Sequence, residues 1–176
     1  DGLRVTDDRT MTVVEMVLAG TVDQEIVSLI CGQGGRAVGL SGKDDGFVLA
    51  RKVDAMKTKS GNVVDPGRVG DVVRVKPEIV TQLLRGGFIP VIAPVAVDEG
   101  GNSLNVNADT VASHVAAALD AEKLVLLTDI EGVRSAAGEL IAPLDRAPAH
   151  RPLADATISG GVIPKVRHAL DALGTG

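Results

Sequence analysis

Between Phe88 and Val133 the chain reads FIPVIAPVAV, then SLNVNAD running into TVASHVAAAL, then KLVLLTDIEGV. An apolar strand run, an Ala/Val-rich helical run and a second apolar strand run follow one another. Strand and helix signals alternate in this way along most of the chain, the signature of an α/β fold with a largely parallel sheet. Upstream, residues from Asp8 to about Ala19 carry Met11, Val14, Val17 and Leu18 at helical spacing. Gly20 should interrupt, and a second helix should run from about Val22 to Cys31, capped by Gly32-Gln33-Gly34-Gly35. AVGLSG reads as a buried strand. Residues 43–76 change character: FVLARKV, NVVD and DVVRVK are β-rich pieces separated by Gly, Asp and Pro, read as an antiparallel hairpin excursion.

Pro77 should open a helix with Ile79, Val80, Leu83 and Leu84 on one face, stopped by Gly86-Gly87. The prolines of FIPVIAPVAV mark the ends or an edge of its strand. A helix from about Thr110 to Ala121 should bury Val111, Val115 and Leu119, and Leu124–Leu127 reads as a fully apolar strand. Residues 135–157 are Ala- and Pro-rich and take no clear assignment. The last helix carries Ile163, Val166, Leu170 and Leu173 and stops at Gly174.

Composition excludes several function classes. The 176 residues are 45% apolar and 23% charged, which suits a soluble globular protein with a real core. No apolar run approaches the roughly 20 residues that span a bilayer, and no signal-peptide pattern opens the chain, so no membrane partner and a cytoplasmic location are expected. A net charge of −5, two Phe, no Tyr and no Trp leave neither a basic surface nor stacking platforms for nucleic acid. Cys31 closes the run Ile26, Val27, Leu29, Ile30 and should be a buried core thiol in a reducing compartment. Asp rather than Met stands first, as in a processed product or a fragment.

In open α/β sheets ligands gather where strands end and helices begin, because helix N-termini present free N–H groups and a positive dipole end. Three such junctions stand out: Asn105–Asp109, Leu127–Gly132 and Ser159–Lys165. At the first, strand alternation would put Asn105, Asn107 and Asp109 on one side; the plainer reading is a helix cap by Asn107 or Asp109. At the second, Thr128-Asp129 is either an ordinary turn or part of a nucleotide site, with Gly132 allowing close backbone approach. At the third, Gly160-Gly161 leaves the backbone open, and Lys165 sits beside the positive end of a helix dipole. That is an unfavourable place for a cation unless an anion binds.

Two lookalikes fail on context. Gly32-Gln33-Gly34-Gly35 follows a helix and precedes a strand, the reverse of a dinucleotide loop. Gly42-Lys43 resembles a Walker loop, yet Asp44 replaces the hydroxyl residue and Ala37 stands in place of the first glycine. His114, His150 and His168 lie at no triad or metal-ligand spacing, so they receive no chemistry and no protein metal site is assigned.

GLRVTD, LNVNAD, LLTDIEGV and SGGVIPKV, in that order from Gly2 to about Leu173, resemble the acetylglutamate kinases of the amino-acid kinase superfamily. The resemblance implies a three-layer αβα sandwich with a mostly parallel open sheet, truncated at both ends. It implies a partial N-terminal lobe over residues 1–121 that binds the acyl amino acid, and a partial C-terminal lobe over 122–176 that binds nucleotide. It implies ATP-dependent phosphorylation of the side-chain carboxylate of N-acetyl-L-glutamate, in arginine biosynthesis, with Mg²⁺ held mainly through the nucleotide phosphates. A homo-oligomer is implied for the intact protein.

Carried over by residue, Arg4 would bind the α-carboxylate of the substrate, for which a planar guanidinium is suited. Asn105 would hold the acetylamino and carboxyl region, and Asn107 would line the same site. Asp109 would orient catalytic lysines, and Lys165 would stabilise the transferring phosphoryl group. Asp129, Ile130, Glu131, Gly132, Val133 and Arg134, with Thr157, Ile158 and Ser159, would line the ATP site. The chemistry is consistent: a carboxylate with a pKa near about 4.3 is already ionised at neutral pH and needs no general base. Alignment and neutralisation of phosphoryl charge remain for the protein.

The sequence departs from that family as well. The family's Lys-x-Gly-Gly loop and second glycine pair would lie upstream of Asp1, its last strands would follow Gly176, and residues 142–156 look shortened. The chain alone is therefore expected not to turn over and to expose a sheet edge. A sister kinase acting on an acetylaminoadipate-type acceptor is the alternative within the enzyme class. A non-catalytic nucleotide- or amino-acid-binding module is the alternative outside it.

Overall fold

The computed structural model describes residues 5–57 and 61–127. Asp7 holds an extended conformation and accepts the Thr10 backbone N–H at 2.7 Å, capping helix α1 (Asp8–Val14). Helix α1 passes into a π-helical stretch, Glu15–Val22, and then into α2 (Asp23–Gly32). The interruption expected at Gly20 does not occur. A helical glycine costs about 1 kcal/mol relative to alanine, which weakens a helix without ending it. Helix α2 ends in a Schellman motif: Gly35 N–H donates to the Ile30 carbonyl and Gly34 N–H to the Cys31 carbonyl, both at 3.0 Å. Gly34 takes φ +86°, the left-handed conformation that the glycine cluster predicts.

Cys31 is exposed, contrary to the expected buried thiol. Asp23, Val27 and Ile30 are the residues of α2 that turn inward, at i, i+4 and i+7. Cys31 lies one step round the helix from Ile30, off that face.

Strand β1 (Ala37–Ser41) pairs in parallel with β6 (Ile89–Ala93), Leu40 opposite Ile92. Between them come β2 (Val48–Lys52), β3 (Met56–Lys57), β4 (Val63–Val64), β5 (Gly70–Val75) and helix α3 (Glu78–Arg85). β2 with β5 and β3 with β4 are antiparallel pairs, the excursion read from residues 43–76. Helix α3 starts after Pro77 and is capped by Gly86, with Gly87 at φ +75°. Its Val80 is buried and Ile79 and Leu83 pack on the core, whereas Leu84 is exposed.

FIPVIAPVAV is two strands, not one. Pro94 ends β6, and the chain resumes as β7 (Val95–Val97), parallel to β2 and antiparallel to β8 (Ser103–Asn105). The described strands thus form β1-β6, β5-β2-β7-β8 and the β3-β4 hairpin. Gly42 joins the first two groups: its N–H donates to the Val95 carbonyl at 2.7 Å, with no room for a Cβ beside Val95 O and Val48. Helix α2 lies against β1 and β6, α3 against β6, and α4 (Ala108–Ala118) against β5, which gives the αβα layering. Phe47, Val48, Ala96 and Leu104 are fully buried at its centre, joined by Val111 and Val115 of α4.

Helix α4 starts two residues earlier and ends three earlier than the spacing suggested, with Asp120 closing it at φ +50°. Leu124–Leu127 joins no ladder among the described residues; Val125 is 68% and Leu127 89% exposed. Among the described residues the strand read there has no partner, and an apolar run becomes a strand only where a neighbouring edge supplies its hydrogen bonds. Residues 135–157 and the helix read over 163–173 lie outside the described residues.

Candidate functional site at the β8–α4 junction

Leu104 and Val106 are buried while Asn105 and Asn107 alternate with them, so strand periodicity turns both asparagines away from the core. Asn105 is the last residue of β8. Its backbone N–H donates to the Arg68 carbonyl at 2.7 Å, and its Nδ2 donates to Thr6 Oγ1 at 3.3 Å. Asn107 keeps an extended conformation (ψ 130°) and caps α4, its Oδ1 accepting the Thr110 N–H at 3.1 Å. The capping reading therefore holds for Asn107. Asp109 stands in the first turn of α4, where the dipole favours a carboxylate, and its carbonyl accepts the Ser113 hydroxyl at 2.8 Å. It belongs to the helix, so its direction follows helical rather than strand geometry.

The junction is tied to the start of the chain through a segment that sequence reading passed over. Thr6 N–H donates to the Pro66 carbonyl at 2.8 Å, and Arg68 N–H donates to the Thr6 carbonyl at 2.6 Å. Thr6 bridges Gly67 and Val69 bridges Asn105, both in parallel sense. Gly67 takes φ +75°, and a Cβ there would run into the Thr6 carbonyl oxygen. Thr6 and Pro66 are both fully buried. The only local signal was Thr6 within GLRVTD and the Pro66-Gly67 pair; the partnership itself spans distant positions and has no sequence period.

Beside β8 the helix supplies a second set of contacts. Lys43 Nζ meets Glu15 Oε1 at 2.9 Å, and Arg68 Nε meets Asp8 Oδ1 at 2.6 Å. Burial raises the Glu15 carboxyl, but the Ser103 hydroxyl and Lys43 outweigh it and hold Glu15 below the usual range. In the β7–β8 turn, hydrogen bonds from the Asn102 side chain, then its backbone, hold the Asp98 carboxyl low. Asp8, Met11, Thr12, Glu15, Arg68, Asn102 and Ser103 enclose a cleft of ≈ 170 Å³. That is below the roughly 300 Å³ of ordinary ligand pockets. Within it Arg68 is paired with Asp8, and Glu15 is paired with Lys43 from outside the lining.

Of the residues singled out from sequence, Asn105, Asn107 and Asp109 are described and lie together at this junction. Arg4, Lys165, Asp129, Ile130, Glu131, Gly132, Val133, Arg134, Thr157, Ile158 and Ser159 lie outside the described residues.

A sequence model of the amino acid kinase family matches residues 1–176. Among curated proteins, the acetylglutamate kinase of Halorhodospira halophila is 51% identical over 179 residues, covering 99% of this chain and 60% of that protein. The acetylglutamate kinase of Citrifermentans bemidjiense is 52% identical over 178 residues, with 99% and 61% covered. The chain thus spans about 60% of the length of these relatives. The crystal structure of smu.665 from Streptococcus mutans UA159 superposes with a TM-score of 0.83 at 28% identity, covering 99% of this chain and 68% of that one. N-acetylglutamate synthase from Neisseria gonorrhoeae, complexed with coenzyme A and N-acetyl-glutamate, gives 0.83 at 26% identity, with 99% and 38% covered.

Proposed function

Because the chain belongs to the amino acid kinase family, we propose that its protein transfers the γ-phosphoryl group of ATP to the side-chain carboxylate of N-acetyl-L-glutamate. The observation that carries this reading is the β8–α4 junction. There an asparagine at a strand end, an asparagine cap and a first-turn aspartate stand within five residues. Likeness to acetylglutamate kinases at half identity supports the acceptor.

In the reaction a carboxylate oxygen forms the new P–O bond, the bond from the γ-phosphorus to the β–γ bridging oxygen breaks, and ADP leaves. The acceptor is ionised at neutral pH, so no residue must remove a proton. Arg4 would pair with the α-carboxylate, and Asn105 and Asn107 would flank the acetylamino group. Asp109 would orient Lys165 toward the phosphoryl oxygens. Residues 129–134 with 157–159 would hold the nucleotide, making residues 1–121 the acceptor lobe and 122–176 part of the nucleotide lobe. Mg²⁺ bound through the phosphates would neutralise charge there.

We also propose a homo-oligomer. Val22, Ile26 and Leu29, at i, i+4 and i+7 of the helix, are 37%, 41% and 71% exposed, and Met16 is 59% exposed. An apolar stripe of this kind fits a second copy of the same helix. No helix among the described residues is long and apolar enough to cross a membrane, and biosynthetic chemistry of this kind suits the cytoplasm.

The test is an acceptor panel with ATP, on the chain joined to whatever sequence its reading frame adds at either end. Acyl phosphate from N-acetyl-L-glutamate, trapped as the hydroxamate, is the expected product. Preference for an acetylaminoadipate-type acceptor would move the protein to the sister activity, and nucleotide binding without any product would make it a binding module.

A further inference from the structure

Thr6 is fully buried, and a buried hydroxyl must find a partner. The partner the structure supplies is the side chain of Asn105, whose Nδ2 lies 3.3 Å from Thr6 Oγ1. The two residues are also laced through the main chain. The segment Pro66–Arg68 brackets Thr6 on both sides, and the Arg68 carbonyl then takes the Asn105 N–H. Backbone and side chain of Asn105 are therefore both held by one three-segment patch.

A primary amide is two-ended, with one acceptor oxygen and two N–H donors. Committing Nδ2 to Thr6 decides which end faces outward: Oδ1 and one remaining N–H. An acylamino acid offers the complementary pair, an amide N–H and carbonyl or carboxylate oxygens. We infer that Thr6 is a positioning residue for the acceptor site, locking the Asn105 amide in the orientation that reads an acylamino group. The inference rests on the acceptor-site reading given above for Asn105.

Two measurements test it separately from that reading. In nitrogen-labelled protein, the Asn105 side-chain amide resonance should shift in Thr6→Val, which keeps shape and loses the hydroxyl, and return in Thr6→Ser. An unmoved Asn105 resonance in Thr6→Val overturns the inference, whether or not any acceptor is phosphorylated. Should Thr6→Val not fold, the unmodified protein decides. Its Asn105 side-chain protons should exchange more slowly than those of exposed Asn107, and equal exchange overturns the inference.

The kinetic arm uses N-acetyl-L-glutamate and ATP. Thr6→Val should raise the acceptor KM about tenfold, the effect of one lost hydrogen bond, and leave kcat and the ATP KM within about twofold. Thr6→Ser should restore the acceptor KM. Equal losses in all three parameters, unrescued by serine, overturn a positioning role. An unmodified protein that ignores N-acetyl-L-glutamate while the Asn105 resonance still responds to Thr6→Val sinks the substrate reading and leaves the Thr6–Asn105 lock standing.

Discussion

The Asp23 carboxylate of α2 fills the space that a side chain at Gly39 of β1 would occupy. Asp23 is 3% exposed; among the described residues its Oδ1 has no hydrogen-bond partner and Oδ2 receives only a long contact of 3.4 Å from Gln24 Nε2. The helix thus rests a carboxylate directly on the glycine of a parallel strand. Burial raises the Asp23 carboxyl above its ordinary value of 3.8; the Gln24 hydrogen bond works against that rise, and Asp44 nearby adds a smaller push in the same direction as burial.

The pH consequence follows from linkage. A carboxyl whose folded pKa lies above its unfolded value binds more protons when folded, so stability falls as pH rises from about 3.8 through the folded pKa. Asp23→Asn removes that loss while keeping shape. Urea unfolding from pH 4 to pH 7 should show the unmodified chain losing stability relative to Asp23→Asn as pH rises. Parallel profiles would contradict the burial of an unpaired carboxylate.

Gly39→Ala should be the more damaging change at this contact. A Cβ there displaces the Asp23 side chain and pushes α2 off β1, a misfit of about 1–3 kcal/mol by the usual scale of overpacking. Combining Gly39→Ala with Asp23→Ala should recover most of the loss, because the obstructing carboxylate is gone. Additive losses in urea unfolding would show that the two residues do not share this space.

Asn107 is a cap by geometry. Asn107→Ala should cost about 1 kcal/mol of stability, and Asn107→Ser should recover most of it. An acceptor KM that stays high in Asn107→Ser, with stability restored, would assign Asn107 a binding role beyond capping. A normal KM would leave it as the cap alone.

Gly67 should resist substitution for two reasons that add. Its φ of +75° disfavours any side chain, and its Cβ would meet the Thr6 carbonyl that Arg68 N–H needs. Gly67→Ala should therefore lower the melting temperature and raise the acceptor KM together, by loosening the Thr6–Asn105 patch. A destabilised protein with an unchanged acceptor KM would separate that patch from substrate binding.

The helix stripe gives an assembly prediction. Leu29→Glu places a charge at a position 71% exposed, so a lone chain should tolerate it. In sedimentation, the unmodified protein should run as an oligomer and Leu29→Glu as a smaller species with the same unfolding midpoint at low concentration. An unchanged sedimentation coefficient would remove this face from the interface.

Period and punctuation made much of the fold legible. The α3 face, the glycine cap after α2 and the Asn107 cap follow from spacings of a few residues, which local pattern can report; the excursion showed as β-rich pieces, but the pairing of β2 with β5 and its parallel seat beside β7 join distant positions. Gly20 misled because its cost is absorbed by a long helix held down elsewhere. Cys31 misled because it adjoins the inward face at Ile30 without being on it. Leu124–Leu127 is apolar enough for a strand, yet ladders depend on a neighbouring edge that composition cannot reveal. Thr6 was the deepest omission: its partners, Pro66–Arg68 and Asn105, are brought to it only by the fold.

The most direct measurement follows the oxygen. N-acetyl-L-glutamate carrying isotopically labelled oxygen in its side-chain carboxylate is incubated with ATP and the protein, and the product is read by phosphorus NMR. Phosphoryl transfer to the carboxylate should give an acyl phosphate whose phosphorus line carries the isotope shift of a directly bonded labelled oxygen. ADP release without that shifted line, or no phosphorylated acceptor at all, would contradict it.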